Sequence, residues 1–249
     1  MRAISSLTAL LLICASTCFS AVPVFKSVQA TLDKKEIEVE NSEAMSDELL
    51  GSREAAKIHY RKMISYYTNI YNDPSSSYPS KLSAVRVIGV LKIRCEDYQG
   101  AIDILKGFLA QYPGNKPVSN DLAEALYFKA MNYTSSVVKE EREKAIEIAL
   151  SILDMKNIDL DWQPFMKHYI GSRYAAEGNY DKALFWYNKV ISDHPDSKDW
   201  AARAHLSIAW YYKDLHENSK AKEHLKIIIT QYSNSSCVKL AQNWLKELK

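Results

Sequence analysis

A pattern of small, aromatic and proline residues between Pro164 and Ser197 constrains the fold of this 249-residue chain more than any other feature. The segment has the sequence PFMKHYIGSRYAAEGNYDKALFWYNKVISDHPDS. Its characteristic positions are Gly171, Tyr174, Gly178, Tyr180, Ala183, Tyr187 and Pro195. This spacing predicts two short amphipathic helices joined by a tight turn. Because one such hairpin cannot bury its apolar face alone, the pattern also predicts neighbouring hairpins on both sides.

Related units occur at three other places in the chain. The copy at 82–115 repeats five of the positions, as Gly89, Tyr98, Ala101, Leu105 and Pro113. A weaker copy occupies 119–157, with a longer turn between its helices, and the last copy occupies 202–235. That last copy carries Ala209, Tyr212, Ala221 and Leu225. The sequence therefore predicts an all-α array of about four hairpins, in which each hairpin buries its neighbour's apolar face.

The segments on either side of the repeats have patterns of their own. Apolar residues recur at helical spacing over 47–72, which predicts an N-terminal helix, and residues 237–248 are expected to form a capping helix. Residues 21–46 are polar and charged with weak apolar periodicity, and we expect them to form a flexible leader.

The small residues of the repeats are expected to permit close approach between helices. Gly171 and Ala183 should lie on facing helices of one hairpin, with Tyr174 and Tyr187 filling the space beside that contact. Proline after the second helix should end it, because the residue before proline disfavours the helical conformation. The predicted repeat-packing set is Gly89, Ala101, Pro113, Gly171, Tyr174, Gly178, Ala183, Tyr187, Pro195, Ala209 and Ala221.

Composition agrees with helical tracts and argues against one class of partner. Only seven glycines and seven prolines interrupt a chain that is 47% hydrophobic and 25% charged. The formal net charge of +2 provides no concentrated positive charge for nucleic acid, so we expect no nucleic-acid binding.

The first twenty residues have the pattern of a secretory signal peptide. Arg2 precedes an apolar run at 7–15, which is too short to span a bilayer, and small residues follow. Cleavage before Ala21 is the preferred site, with cleavage directly after Ala21 as the alternative. Lipid attachment at Cys14 or Cys18 is the alternative, but neither cysteine follows a good lipobox. The chain is therefore predicted to be exported, without a transmembrane span, with peripheral association with the outer membrane left open.

Residue types that carry catalysis or bind metals do not form a recognisable motif. None of the six histidines belongs to an HExxH pair, and the chain has no Gly-rich phosphate loop and no GxSxG elbow. Cys95 and Cys237 are expected to be partly buried thiols, with a disulfide between them as the less favoured alternative. We therefore predict no enzymatic activity, no cofactor and no metal site.

The repeat positions resemble those of the tetratricopeptide repeat family over residues 82–235. The C-terminal half is more similar to periplasmic members of Gram-negative bacteria, namely the repeat lipoprotein of outer-membrane β-barrel assembly and the Tol–Pal-associated coordinator of cell division. The resemblance implies a solenoid that binds extended peptides or other proteins. It implies a non-catalytic scaffold in the periplasm of the cell envelope, acting in outer-membrane protein assembly or envelope maintenance. An oligomerising spacer, a cell-division coordinator and a substrate-binding subunit of an enzyme are the alternatives.

In that family, fixed positions of the first helix of each hairpin line a concave groove. Transferred by position, the resemblance implies that the groove is lined by Arg86, Arg94, His168, Ser172, Arg203, Trp210 and Lys213. These cations would hold an acidic peptide or a C-terminal carboxylate in an envelope protein partner. Alternatively, Trp210 packs against the neighbouring hairpin and the arginines lie in solvent.

Overall fold

The computed structural model describes residues 35–49, 51–134, 136 and 138–248, and the predicted signal peptide lies outside them. Within these residues the regular secondary structure is entirely helical, which confirms the all-α prediction there. The part of the chain that the structure describes has eleven helices: α1 (Lys35–Leu49), α2 (Arg53–Asn72), α3 (Tyr78–Arg94), α4 (Tyr98–Gln111), α5 (Lys116–Thr134), α6 (Lys139–Leu153), α7 (Trp162–Ala176), α8 (Tyr180–Asp193), α9 (Lys198–Asp214), α10 (Asn218–Gln231) and α11 (Val238–Glu247). No helix among the described residues has the length and apolar character needed to cross a bilayer.

The chain divides into two compact units, and the first ends at Phe128, within α5. In this first unit α1 packs against α2, α2 against α3, and α3 against α4. Its core combines buried aromatic and aliphatic side chains from consecutive helices, including Tyr60, Met63, Ile88 and Leu91.

The second unit begins at Lys129, and within it each helix from α6 to α11 packs against the next. One core cluster joins Ala183, Tyr187 and Val190 of α8 to Ala204 and Ile208 of α9. Another lies where α9, α10 and α11 meet. It contains Ala202, Ala209, Ala221, Leu225, Ile228, Cys237, Ala241 and Leu248.

Three hairpins share one turn geometry. Each pair of helices, α3–α4, α7–α8 and α9–α10, is joined by three residues. The middle residue of each turn adopts the left-handed conformation, with φ of 63° at Glu96, 75° at Gly178 and 60° at His216. A left-handed residue at a helix C-terminus reverses the chain direction. Backbone N–H groups that follow the helix then donate hydrogen bonds to its last carbonyl groups. The shared turn explains why the repeat period is preserved although only one copy has glycine there.

The N-terminal segment differs from its prediction. The expected flexible leader is wrong over residues 35–46, because α1 occupies them and buries Ala44 completely in the core beside α2. Lys62 of α2 also forms a 2.8 Å salt bridge with Glu40 of α1. Because α1 contacts α2 through one small buried residue and through charged side chains, the sequence of α1 shows little apolar periodicity. The helix predicted at 47–72 is interrupted at Gly51, where φ is 79°, and resumes at Arg53.

The third helix starts earlier than the repeat pattern suggests. The repeat pattern places the first copy at 82–115, but α3 begins at Tyr78, with Ser77 accepting a hydrogen bond from the Ser80 backbone N–H. Pro79 lies in the first turn of this helix, where its missing N–H has no intrahelical partner to lose.

Six of the predicted small positions lie at contacts between helices. The seventh, Gly178, was wrongly assigned to helix packing, because it lies in the α7–α8 turn, where a Cβ atom would meet no atom within 4 Å. A Cβ atom built at Gly89 would lie 3.2 Å from the Leu105 methyl groups, and one at Gly171 would lie 3.3 Å from the Ala183 carbonyl oxygen. Four of the predicted alanines are also buried, namely Ala101, Ala183, Ala209 and Ala221. Pro113 and Pro195 each follow the end of a second helix, two residues after Gln111 and Asp193, and Tyr174 is partly buried against the α8–α9 core.

Candidate partner-binding face

In the second unit, the predicted groove residues of α7 and α9 lie on adjoining helices. His168 Nε2 of α7 and Ser207 Oγ of α9 form a 3.1 Å hydrogen bond. On the same helix as His168, Ser172 donates to the His168 carbonyl oxygen at 3.0 Å, and the Tyr187 hydroxyl donates to Ser172 Oγ at 3.3 Å. His168 and Ser172 are therefore parts of a network that joins helices α7, α8 and α9.

Burial determines what His168 can do in this network. Its ring contacts the rings of Tyr187 and Trp200, and its side chain is buried. Desolvation, followed by the nearby charge of Arg203, lowers the pKa of His168 to about 4. The imidazole is therefore neutral near pH 7 and serves as a packed polar core group.

Arg203 forms close contacts with other residues of the second unit. Its Nε donates to Asp199 Oδ2 at 2.8 Å, and its guanidinium lies 5.4 Å from the Trp200 ring centroid. Asp199 Oδ1 in turn accepts from Ser235 Oγ at 2.7 Å and from the Ser236 backbone N–H at 3.2 Å. These bonds fasten α9 to the segment after α10, and only 11% of the Arg203 side chain is exposed.

The pKa of Asp199 reflects the same set of contacts. Burial alone would raise this pKa, but hydrogen bonds from Ser235 and Arg203 outweigh burial and hold it below its ordinary value. Asp199 is therefore ionised near pH 7 and remains paired with Arg203. A partner carboxylate would have to break several hydrogen bonds to replace it.

Lys213 has a weaker attachment. Its Nζ lies 3.0 Å from Glu247 Oε2 and 5.3 Å from the Trp244 ring centroid, and both partners belong to the C-terminal helix α11. The two charged side chains are 36% and 59% exposed. Exposed ion pairs contribute about 0–1 kcal/mol to stability. A carboxylate from a partner can therefore replace Glu247 at little energetic cost.

The basic groove residues of the first unit are engaged as well. Arg86 forms a bidentate pair with Asp121, through Nε to Oδ2 at 2.6 Å and Nη2 to Oδ1 at 3.2 Å, and both side chains are largely buried. Arg94 Nη1 donates to the Tyr60 hydroxyl at 2.8 Å and to Glu48 Oε2 at 3.3 Å. All four basic groove residues thus already contact a carboxylate of their own unit. Breaking a buried pair such as Arg86–Asp121 leaves an uncompensated charge, which costs about 3–5 kcal/mol.

These contacts single out part of the predicted groove, which we call the α9 face. It consists of Arg203, Trp210 and Lys213 of α9 together with Trp244 of α11. Trp210 is partly exposed and stands three residues before Lys213, so the two side chains are neighbours on the helix surface. The face combines an exchangeable cation with two indole rings.

Several residues that organise this face were missed in the sequence. The spacing of Asp199 and Arg203, four residues apart on a helix, is a signal that would have indicated their ion pair. Glu247, Ser235 and Trp244 are distant in sequence from the residues they contact, and no local pattern connects them. The approach of His205 to His224, with 2.9 Å between their Nδ1 atoms, was likewise not indicated by the sequence.

Comparisons with known proteins give structural similarity alone. No family model and no curated protein matches the chain. Among solved structures, a MamA crystal structure is 18% identical with a TM-score of 0.43, covering 77% of this chain and 94% of that one. TPR-like repeats of a kinesin light chain from Podosopora anserina are 15% identical with a TM-score of 0.44, covering 78% of this chain and 96% of that one.

A third solved structure, a human IFIT1 dimer with m7Gppp-AAAA, is 15% identical with a TM-score of 0.48 and covers 85% of this chain but 46% of that one. At these identities and TM-scores, none of the three proteins transfers a ligand or a partner to this chain.

Proposed function

We propose that the chain is a non-catalytic scaffold that binds a protein segment on the α9 face. The observation that carries this proposal is the exposed Lys213–Glu247 pair above Trp244, with Trp210 beside it on the same helix. Tryptophan is enriched among the residues that dominate binding energy at protein interfaces. An exposed ion pair beside such rings can be exchanged for a pair with the partner.

The partner is expected to supply a carboxylate to Lys213 and an apolar or aromatic side chain to Trp210. Arg203 stays paired with Asp199 and shapes the face without contacting the partner charge directly. Of the two basic groove residues predicted in the second unit, Lys213 is therefore the one whose ion pair can be replaced by a pair with the partner. On binding, Lys213 would exchange Glu247 for a carboxylate of the partner, and the indole ring of Trp210 would be buried against the partner. No covalent bond would form or break.

Cross-linking followed by mass spectrometry in the native cell tests this proposal. Lys213→Ala should reduce the yield of cross-links to partner proteins severalfold. The matched control is Lys220→Ala on α10, because Lys220 also pairs with an exposed glutamate, Glu217, and lies 5.0 Å from the Tyr212 ring centroid. Equal partner yields from the two variants would contradict the proposed site.

We further propose that the scaffold operates in the bacterial cell envelope, in outer-membrane protein assembly or envelope maintenance. Support comes from Arg2, the apolar run at 7–15 and the small residues before Ala21. The test is N-terminal sequencing of the protein released by osmotic shock. A new N-terminus at Ala21 is expected, whereas an intact N-terminus retained in the cytoplasm would contradict export.

Self-association is a second candidate, favoured by exposed apolar side chains near the N-terminus. Met45 and Leu49 lie one turn apart on α1, with exposures of 51% and 86%. Sedimentation velocity should detect an oligomer that Leu49→Ser dissociates. Leu160→Ser, at a comparably exposed leucine of the second unit, is the control. A monomeric wild-type chain would remove this candidate.

A further inference from the structure

Two carboxylates and an imidazole converge where α1 packs against α2. Glu40 and Glu43 lie one turn apart on α1, and His59 belongs to α2. His59 Nδ1 lies 2.6 Å from Glu40 Oε2 and 3.3 Å from Glu43 Oε2. The three potential ligand atoms all lie within 4.8 Å of one another. One nitrogen and two oxygens from two different helices therefore surround the same small volume.

We propose that Glu40, Glu43 and His59 bind a divalent transition-metal ion, with Zn²⁺ as the preferred ion, and that this ion fastens α1 to α2. Imidazole together with carboxylates is a donor set that suits zinc, whereas Mg²⁺ and Ca²⁺ favour oxygen ligands alone. The proposal is independent of partner binding on the α9 face.

The distances are close to those a zinc ion requires. Two ligand atoms about 2.1 Å from a tetrahedral zinc ion are about 3.4 Å apart. The separation of 3.3 Å between Glu43 Oε2 and His59 Nδ1 already fits, whereas the 2.6 Å contact of Glu40 must open slightly as metal bonds replace its hydrogen bond. Glu43 is 54% exposed, so the ion can enter from solvent. Three protein ligands leave a fourth position for water.

The surroundings of the three ligands favour metal binding over a simple ion pair. Asp47 Oδ2 lies 3.6 Å from His59 Nε2, on the ring edge away from the two glutamates. With Nδ1 bound to metal, the proton of neutral His59 is on Nε2 and faces Asp47, an arrangement by which carboxylates orient metal-binding histidines. A small movement or a bridging water would complete that hydrogen bond.

Lys62 orients the Glu40 carboxylate for metal binding. Its Nζ donates to Glu40 Oε1 at 2.8 Å, which leaves Oε2 directed at His59. Three carboxylates lie within 3.6 Å of the His59 ring nitrogens, and one of them, Glu40, is paired with the Lys62 ammonium group, so a divalent cation would offset the remaining negative charge.

The ion would add a further attachment between α1 and α2, beside their packing contact and the ion pair of Glu40 with Lys62. Among the side chains of α1 that the structure describes, Ala44 is the one buried in the core cluster of the first unit. Metal binding that requires two helices in their folded arrangement adds its free energy to that arrangement. The proposed site is thus a metal-dependent clasp for the N-terminal helix.

Isothermal titration of the EDTA-stripped chain with Zn²⁺ tests this inference. We expect one zinc ion per chain, a loss of affinity of at least tenfold in Glu43→Gln, and a loss of about 10–100-fold in Asp47→Asn. Co²⁺ should give the visible absorption of a tetrahedral site, lost in His59→Gln. The exposure of Glu43 makes its substitution compatible with folding, and circular dichroism checks that helix content is unchanged.

The matched control is His224→Gln, because His205 and His224 form another close pair of potential ligand atoms. This variant should bind the first zinc ion as the wild type does. The inference is overturned if the folded wild type binds no Zn²⁺ at millimolar concentration, if His59→Gln and Glu43→Gln bind it unchanged, or if His224→Gln removes the binding.

Discussion

Gly171 of α7 faces the ring of Tyr187 on α8 so closely that a Cβ atom at residue 171 would lie 2.8 Å from Cε1. The corresponding pair in the first unit is Gly89 and Leu105, where the nearest approach would be 3.2 Å. Both pairs are sixteen residues apart in sequence. The glycine positions of the repeat are thus set by the side chain of the facing helix.

Substitution of these glycines should therefore have graded effects. Gly171→Ala forces Tyr187 or the facing helix to shift and should lower the free energy of unfolding by about 1–3 kcal/mol. Gly89→Ala should cost less, because flexible methyl groups of Leu105 can move aside. Urea unfolding measures both. Gly107→Ala is the control, since a Cβ at that helical position meets no atom within 4 Å; a cost at Gly107 equal to that at Gly171 would contradict the packing.

Substituting the left-handed, non-glycine turn residues by glycine should increase the free energy of unfolding, whereas replacing the packed glycines lowers it. His216→Gly should raise the free energy of unfolding by about 0.5–1 kcal/mol, because glycine adopts a positive φ without the steric cost of a side chain. Glu96→Gly should gain less, because it also removes the 3.3 Å ion pair of Glu96 with buried Lys57, while Gly178→Ala should destabilise. Thermal unfolding compares the three variants, and stabilisation by Gly178→Ala would contradict the shared turn geometry.

Buried Glu124 should make stability depend on pH. Burial, and then the nearby charge of Asp121, raise the pKa of Glu124 from 4.5 to about 8. Between these two values the folded chain retains a proton that the unfolded chain releases, so this residue's contribution to stability falls as pH rises through that window. At pH 9, Glu124→Gln should be more stable than wild type by on the order of a few kcal/mol.

Urea unfolding at pH 5 and pH 9 measures the Glu124 effect. The exposed glutamate of the second unit, Glu140, provides the control in Glu140→Gln, which should follow the wild-type pH profile. A pH dependence that Glu124→Gln leaves unchanged would show that this carboxyl is not the group responsible.

The two basic residues at opposite ends of the α9 face should differ in their structural roles. Arg203→Ala leaves the Asp199 carboxylate without its guanidinium partner and should cost about 2–4 kcal/mol of folding free energy. Lys213→Ala breaks an exposed pair and should cost less than about 1 kcal/mol. Equal losses in chemical denaturation would mean that Lys213 is not exchangeable as proposed.

The sequence predicted the helical hairpins well because their packing is local and periodic. Gly171, Ala183 and Tyr187 belong to one hairpin, so fixed spacing alone brings them together. The N-terminal helix α1 was missed because its contacts with α2 are largely polar, as in the pair of Glu40 with Lys62. Apolar periodicity carries no information about such contacts.

The candidate site was only partly predictable for a related reason. The α9 positions followed from the repeat register, but their partners did not. Glu247 lies 34 residues after Lys213, and its pairing depends on how α11 packs against the last hairpin. The same holds for Glu40 and His59, which are 19 residues apart on different helices. Their convergence is visible only once the helices are assembled.

The most direct test of the scaffold proposal is site-specific photo-cross-linking in living cells. A photoreactive phenylalanine derivative placed at Trp210 is predicted to capture a discrete protein partner, with the yield falling when Lys213→Ala is added. The same probe at Phe185, an exposed residue of α8, should not capture that partner. Absence of capture at residue 210 in a folded protein, or equal capture at both residues, would contradict the proposal that the α9 face binds a protein.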